Sequence, residues 1–398
     1  MQDPELDGNR KARRIVRLGL LAILVLLMML AAACGGDDEE GAPADEGAAP
    51  AADVGSATSG ADISMDDLVA CAQDEGTLNT IALPPDWANY GEIMKAFGDK
   101  YDIKVVNASP NASSAEENEA VKALKGQDRA PDVLDVGPAF AEEGKADGLY
   151  AQYQVSTWDT IPDEMKDADG QWVGDYWGVV AFGVNAAVID NVPANWQDLL
   201  KPEYKGRVAL NGDPRESGSA LAAVFAASLA NGGSLDDIQP GIDFFAELKK
   251  NGNFIPVDAT PATVASGQTP ITIDWDYLQI AYGQEFEANV DWQVVVPEEG
   301  VFGNYYAQAI NAEAPHPCAA RLWQEFLYSA EGQNLWLKGY SHPARFQDLE
   351  DNGELDEAAL ASLPPAQSYE DVQFPNNEQT EAAKALVAEQ WGPKVAGG

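Results

Sequence analysis

The chain is poor in histidine, in cysteine and in positive charge. Among 398 residues there are two histidines, His316 and His342, and each is followed by proline. Both read as turn residues, so a Ser/His/Asp hydrolase would lack a suitable base. The strings G-x-S-x-G, H-E-x-x-H, C-x-x-C, G-x-x-x-x-G-K-[ST] and G-x-G-x-x-G are all missing. Their absence removes the usual carriers of acyl transfer, zinc hydrolysis, dithiol redox chemistry, nucleotide hydrolysis and dinucleotide binding. No metal-ligating set and no cofactor motif is identified. Lys and Arg total 24 against 65 Asp and Glu, a formal charge of −41. That balance argues against nucleic acid and against an anionic membrane surface as partners. A cationic ligand is compatible with that balance, as is a solvated acidic surface suited to salty surroundings. No repeat of solenoid or propeller period is present.

Residues 1–33 read as a targeting segment. Arg10, Lys11, Arg13, Arg14 and Arg17 precede the apolar run LGLLAILVLLMML, and Ala31, Ala32 and Ala33 lead into Cys34. The run is short for a membrane span of about 20 residues. A Cys directly after small residues resembles the lipobox of bacterial lipoproteins, with Leu30 four positions before it and Ala31 where Leu is usual. That resemblance makes Cys34 a lipid anchor on the outer face of a cytoplasmic membrane. An ordinary cleaved signal and an uncleaved anchor are the alternatives. Residues 34–65, rich in Gly, Ala, Pro and acid, read as a disordered acidic tether. Removing the signal, with its five basic and three acidic residues, leaves the mature chain two units more negative. Cys71 and Cys318 remain, and an extracytoplasmic compartment favours one disulfide between them over two separate thiols.

From about Asp62 the chain runs for over 330 residues, which points to two lobes. TLNTIAL, beginning at Thr77, and DIKVVNA (102–108) read as strands around a helix from about Tyr90 to Lys100. Ser114 and Glu117 read as a capping box for the next helix. PDVLDVG reads as a third strand ending in a Gly turn, and the alternation implies a parallel α/β sheet. QWVGDYWGVVAFGVNAAVI is an extended apolar stretch, and a second α/β block follows, from about Pro193 to Pro297. EEGVFGNYYAQAINAE then reads as a strand returning to the first block. The expected lobes are 66–182 with 306–398, and 183–305. Two crossings make a hinge, and a hinge between lobes makes a cleft that closes on a ligand.

Aromatics beside acids recur in the loops between elements: Trp87 and Tyr90 in LPPDWANYGE, Asp213 and Glu216 in NGDPRES, and Trp275 with Asp274 and Asp276 in TIDWDY. Tyr305 and Tyr306 sit at the second crossing. Ligands bind outside the ends of strands in open α/β sheets. Ring faces attract an ammonium group, and carboxylates fix its position.

The stretch PEEGVFGNYYAQAINAEAPHPCAARLWQEFLYSAEGQ resembles the solute-binding proteins of bacterial ABC importers, in the two-lobe branch that takes polyamines, ferric ion, thiamine and aminophosphonates. The likeness extends over about residues 75–345. It implies a two-lobe periplasmic-binding-protein-like fold, a monomeric receptor, a small-molecule solute, and an ABC permease with its ATPase as partners. Within the branch, polyamine binders share the W-x-x-Y of Trp87 and Tyr90, the D-x-R-E of Asp213 and Glu216, and the Trp at position 275. Their W-x-D after G-[VI]-F is replaced by Gly303-Asn304-Tyr305. The resemblance thus implies a polyamine-like cation held by Trp87, Tyr90, Asp213, Glu216, Trp275, Asp276 and Tyr305, with ferric ion, thiamine or aminophosphonate as alternatives. An extracytoplasmic hydrolase using paired carboxylates is the competing class.

Overall fold

The computed structural model describes residues 54–288 and 290–396. Cys34, the expected signal and most of the expected tether lie outside them. In chain order the elements begin α1 Met65–Glu75, β1 Thr77–Ile81, α2 Tyr90–Tyr101, β2 Lys104–Ala108, α3 Ser114–Ala123, β3 Val133–Val136 and α4 Pro138–Ala146. Next come β4 Val173–Asn185, β5 Val208–Leu210, α5 Gly218–Ala230, α6 Gln239–Asn251, α7 Pro261–Ala265 and β6 Ile271–Trp275. The remainder is α8 Asp276–Glu285, β7 Trp292–Val295, β8 Gly303–Ile310, α9 Pro317–Leu327, α10 Ala330–Lys338, β9 His342–Pro343, α11 Phe346–Asn352, α12 Glu357–Leu360 and α13 Asn377–Trp391.

The first two strands are shorter than their apolar runs. β1 stops because Ala82 takes a left-handed φ of 57°. β2 starts late because Asp102, at φ 56°, closes α2. β1 and β2 pair in parallel across α2, as the alternation requires. The chain from Pro317 to Lys338 forms two helices rather than one. Ser329 leaves the helix and caps α10, its hydroxyl accepting from Gly332 N at 3.1 Å.

The larger sheet runs β3-β8-β4-β6-β5, with β7 and β9 also paired to β4, and it departs from the expected parallel arrangement: only β5 and β6 pair in parallel, and β3 joins the returning strand β8 antiparallel. β4 explains the two lobes. Its early residues pair with β8 and β9, and Val180–Asn185 pair with β6 and β7. The expected boundary after residue 182 therefore falls inside one continuous strand. β8 is the second crossing.

The C-terminal segment, given to the first lobe on sequence, packs chiefly on the second. Trp391 stands edge-on to Phe245 and Phe254, and Lys394 pairs with Asp243 at 2.8 Å. Phe374 and Val372 press on the backbone at Gly303, where any β-carbon would lie 2.6 Å from Val372. Contact with the first lobe includes Lys384, whose Nζ sits 4.6 Å from the centre of the Phe140 ring. Cys71 and Cys318 are joined by a disulfide that ties α1 to α9. No helix among the described residues is long and apolar enough to cross a membrane.

Candidate functional site: the interlobe cleft

A cavity of about 490 Å³ opens between the lobes. The first lobe lines it with Ala82, Pro84, Asp86, Trp87, residues 110–114, Glu117, Asp135, Gly137 and Phe140. The second contributes Asn211, residues 216–219, Ala259, Thr260, Pro261, Leu278 and Tyr282, and β8 adds Tyr306. These residues come mostly from the turns after β1, β2, β3 and β5, where an open α/β sheet presents its ligand crevice.

Two carboxyls form the floor. Asp135 is 6% exposed, and its Oδ1 has no hydrogen-bond partner among the described residues. Glu117 is 1% exposed and accepts from Asp135 N at 3.1 Å. Burial pushes Glu117 far above the usual carboxylate range, with the Asp135 charge adding to the rise. Burial lifts Asp135 to about 7, against hydrogen bonds that pull the other way. Asp86 and Glu216 line the cavity higher up and are exposed. The lining thus holds four acidic side chains and no basic one.

Glu117 is free for this role because the capping box is one residue earlier than the sequence suggests. SSAEE satisfies S-x-x-E in two registers, and Ser113 with Glu116 closes the box. Ser114 instead accepts from Gly137 N at 3.1 Å, which ties the starts of α3 and α4 together at the cavity edge. Ser114 and Gly218, the first residues of α3 and α5, line the cavity with Gly137, the residue before α4, so three helix N-termini open onto it.

Trp87 forms the aromatic wall. Its Nε1 donates to Tyr176 Oη at 2.8 Å, and its ring stands edge-on to Tyr277 and Tyr306 at 6.0 and 5.8 Å. Of the residues expected at the site, Trp87 and Glu216 line the cavity; the other five do not. Tyr90 is fully buried, its hydroxyl donating to Asp175 and accepting from Gln308. Asp213 spends its carboxylate on Arg215, whose Nε and Nη2 donate to it at 2.9 and 2.6 Å. Trp275, 3% exposed, stacks beside Tyr277 at 6.3 Å. Asp276 is a structural acceptor. Its Oδ1 takes Val179 N at 3.0 Å and its Oδ2 takes Tyr369 Oη at 2.7 Å, which joins the crossing strand to the C-terminal segment. Tyr305 stacks on Trp172 and donates to Glu164 O at 3.0 Å. Its neighbour Tyr306 lines the cavity instead, because successive residues of a strand face opposite sides. The same alternation keeps this tyrosine pair from meeting at one metal ion.

Residues 128–369 match the family model of bacterial extracellular solute-binding proteins. An uncharacterized protein of Haemophilus influenzae is 28% identical over 313 residues, spanning 76% of this chain and 86% of that protein. A provisionally named 2-aminoethylphosphonate-binding periplasmic protein of Salmonella typhimurium is 24% identical, over 65% of this chain and 74% of its own length. The spermidine/putrescine-binding periplasmic protein of Salmonella typhimurium is 26% identical, over 54% and 63%. Among solved structures, the periplasmic binding protein AfuA of Actinobacillus pleuropneumoniae, with fructose-6-phosphate bound, superposes with a TM-score of 0.63 at 19% identity. That match covers 81% of this chain and 99% of AfuA, and it shows a shared two-lobe fold. The interlobe cavity, the strand that crosses both lobes and the family match converge: this chain is a member of the bacterial extracellular solute-binding protein family.

Proposed function

We propose that this chain is the receptor for a small solute bearing a protonated amine, which it captures in the cleft and delivers to an ABC permease driven by a partner ATPase. The family's role is substrate binding in transport rather than catalysis. The observation that carries the amine is Asp135, a buried carboxyl that lines the cavity with one oxygen unpartnered. A buried acceptor without a donor costs free energy, and an ammonium group supplies both donor and counter-charge. The ring faces of Trp87 and Tyr306 add about 0.5–2 kcal/mol per cation contact. With lipid on Cys34, the receptor stays beside its permease on the outer face of the membrane.

A second reading differs only at the solute's other end. The N-termini of α3, α4 and α5, with Ser113, Ser114, Ser217 and Ser219 beside the cavity, suit an anionic head such as a phosphonate. A thermal-shift panel of putrescine, spermidine, 2-aminoethylphosphonate, thiamine and ferric ion separates the readings. A ligand at 100 times its Kd adds about 2.7 kcal/mol of stability. Stabilisation by the diamines supports the polyamine form, and stabilisation by 2-aminoethylphosphonate alone selects the zwitterion. A response only to thiamine or ferric ion refutes the proposal. Mass spectrometry of the mature N-terminus tests the lipid on Cys34.

A further inference from the structure

Two polar residues stand side by side at the ends of β5 and β6, and only one of them reaches the cleft. The strands pair in parallel, with Val208, Ala209 and Leu210 opposite Ile271, Thr272 and Ile273. One step further, the same register sets Asn211 beside Asp274 on one face of the sheet. Asn211 lines the cavity, whereas Asp274 does not and is 1% exposed. Asn211 Nδ2 donates to Asp274 Oδ2 at 2.8 Å, and Asp274 Oδ1 accepts from Trp275 N at 2.8 Å. A buried carboxyl is costly and is usually answered by a cation or by several backbone donors. Here one of its two oxygens serves an amide of the cleft wall instead.

The backbone of Asn211 is held as well. Its carbonyl accepts from Ser217 Oγ at 2.6 Å, and Ser217 caps α5. Gly212, at a φ of 92°, lets the chain fold back onto Ser217, where any β-carbon would lie 2.8 Å from Ser217 Cβ. An ionised carboxylate can only accept, so the pairing itself decides which end of the Asn211 amide is nitrogen. The amide oxygen is what remains for the cavity. Asn211 Oδ1 takes no hydrogen bond from the described residues and is not sealed from solvent.

We propose that Asn211 is a specificity-determining contact of the second lobe, offering an acceptor oxygen to an N–H group of the solute, and that Asp274 is the positioning residue that holds the amide this way round; this rests on the amine reading above. Asp135 lines the cavity from the first lobe and Asn211 from the second. A solute with a donor at each end is therefore gripped by both lobes. One with only an acceptor at its far end meets oxygen against oxygen there, and a site built to take a donor rejects it. The chemical class this selects is a small diamine.

Isothermal titration calorimetry of the intact receptor at pH 8 tests this with two pairs of ligands, putrescine against 4-methoxybutylamine and cadaverine against 5-methoxypentylamine. Burial lifts Asp274 to about 7, so at that pH it is ionised and accepts. Wild type is expected to prefer the better diamine over its methoxy partner by about tenfold or more, the worth of a hydrogen bond to a charged group. Asn211→Leu should bring that ratio to within about threefold while leaving the methoxyamines bound as before. Asp274→Asn separates positioning from mere support. Its side-chain oxygen must still take Trp275 N, so its new NH2 faces Asn211 and turns the Asn211 amide about, nitrogen toward the cavity. The diamines should then weaken and the methoxyamines tighten, bringing the ratio to about one or below. Equal weakening of both classes by Asp274→Asn makes Asp274 a structural residue and overturns its positioning role. A ratio that survives Asn211→Leu, or equal affinities in wild type, overturns the Asn211 contact but leaves the amine receptor standing, and the wild-type comparison needs no variant to fold. Failure of every amine to bind wild type overturns the amine reading and this inference with it.

Discussion

Replacing Asp135 with Asn should weaken binding and stabilise the empty protein at neutral pH. Burial lifts this carboxyl from 3.8 to about 7. A displacement of that size makes an ionised Asp135 cost the folded state about 4 kcal/mol above pH 7. The sign follows from linkage. Below the unfolded value both states are protonated and no cost arises; the cost grows as pH rises from about 4 and levels off above about 7. Asparagine matches the shape and carries no charge, so it escapes the whole pH-dependent part. Its amide must still find partners in a buried place, which gives back about 1–3 kcal/mol at every pH. The robust quantity is the difference between conditions. Relative to wild type, Asp135→Asn should gain about 3 kcal/mol more stability at pH 7.5 than at pH 4.5. Urea unfolding followed by tryptophan fluorescence at the two pH values measures it. The amine affinity should drop by about 10- to 150-fold, the worth of one hydrogen bond to a charged group. If the variant's stability relative to wild type is the same at both pH values within about 0.5 kcal/mol, Asp135 is not held ionised at a cost and the argument from its burial fails. Such a residue is retained for function against stability.

The remaining expectations concern β8 and the disulfide. Tyr306→Ala should lower solute affinity by about 2- to 30-fold, whereas Tyr305→Phe should leave it unchanged, since Tyr305 faces Trp172 and not the cleft. Parallel titrations of the two variants measure the contrast, and equal losses would put both side chains on one face. The Cys71–Cys318 bond spans 247 residues of sequence. The chain-entropy model then assigns it about 5 kcal/mol, so the Cys71→Ser/Cys318→Ser double variant should unfold at markedly lower urea. A loss under about 1.5 kcal/mol would mean that the bond constrains little of the unfolded chain.

Much of the fold was readable along the chain. The βαβ start, the apolar run of β4 and the return strand β8 all stand near where their patterns lie. Boundaries moved where single residues took left-handed or capping conformations, as Ala82, Asp102 and Ser329 did. The site was less readable. SSAEE offers two capping registers, and YY offers two strand parities; local sequence is symmetric between the alternatives in both cases. A sharper signal lay in PDVLDVG, where an acid interrupts an apolar strand just before a Gly turn. That placement is costly in a core and is the mark by which Asp135 could have been singled out.

What the sequence determined by itself is the class of molecule: a two-lobed α/β chain without catalytic motifs, carrying the return-strand signature of solute-binding proteins. Periodicity and composition are local sums over many residues, so they survive without knowledge of contacts. What only the tertiary structure decided is which acids and rings meet. Asp135, Glu117 and Tyr306 reach the cleft while Asp213, Asp276 and Tyr305 turn to Arg215, Tyr369 and Trp172. Those partners come from other stretches of chain in all but the Arg215 pair, and a side chain's direction and spare hydrogen bonds depend on what folding brings beside it.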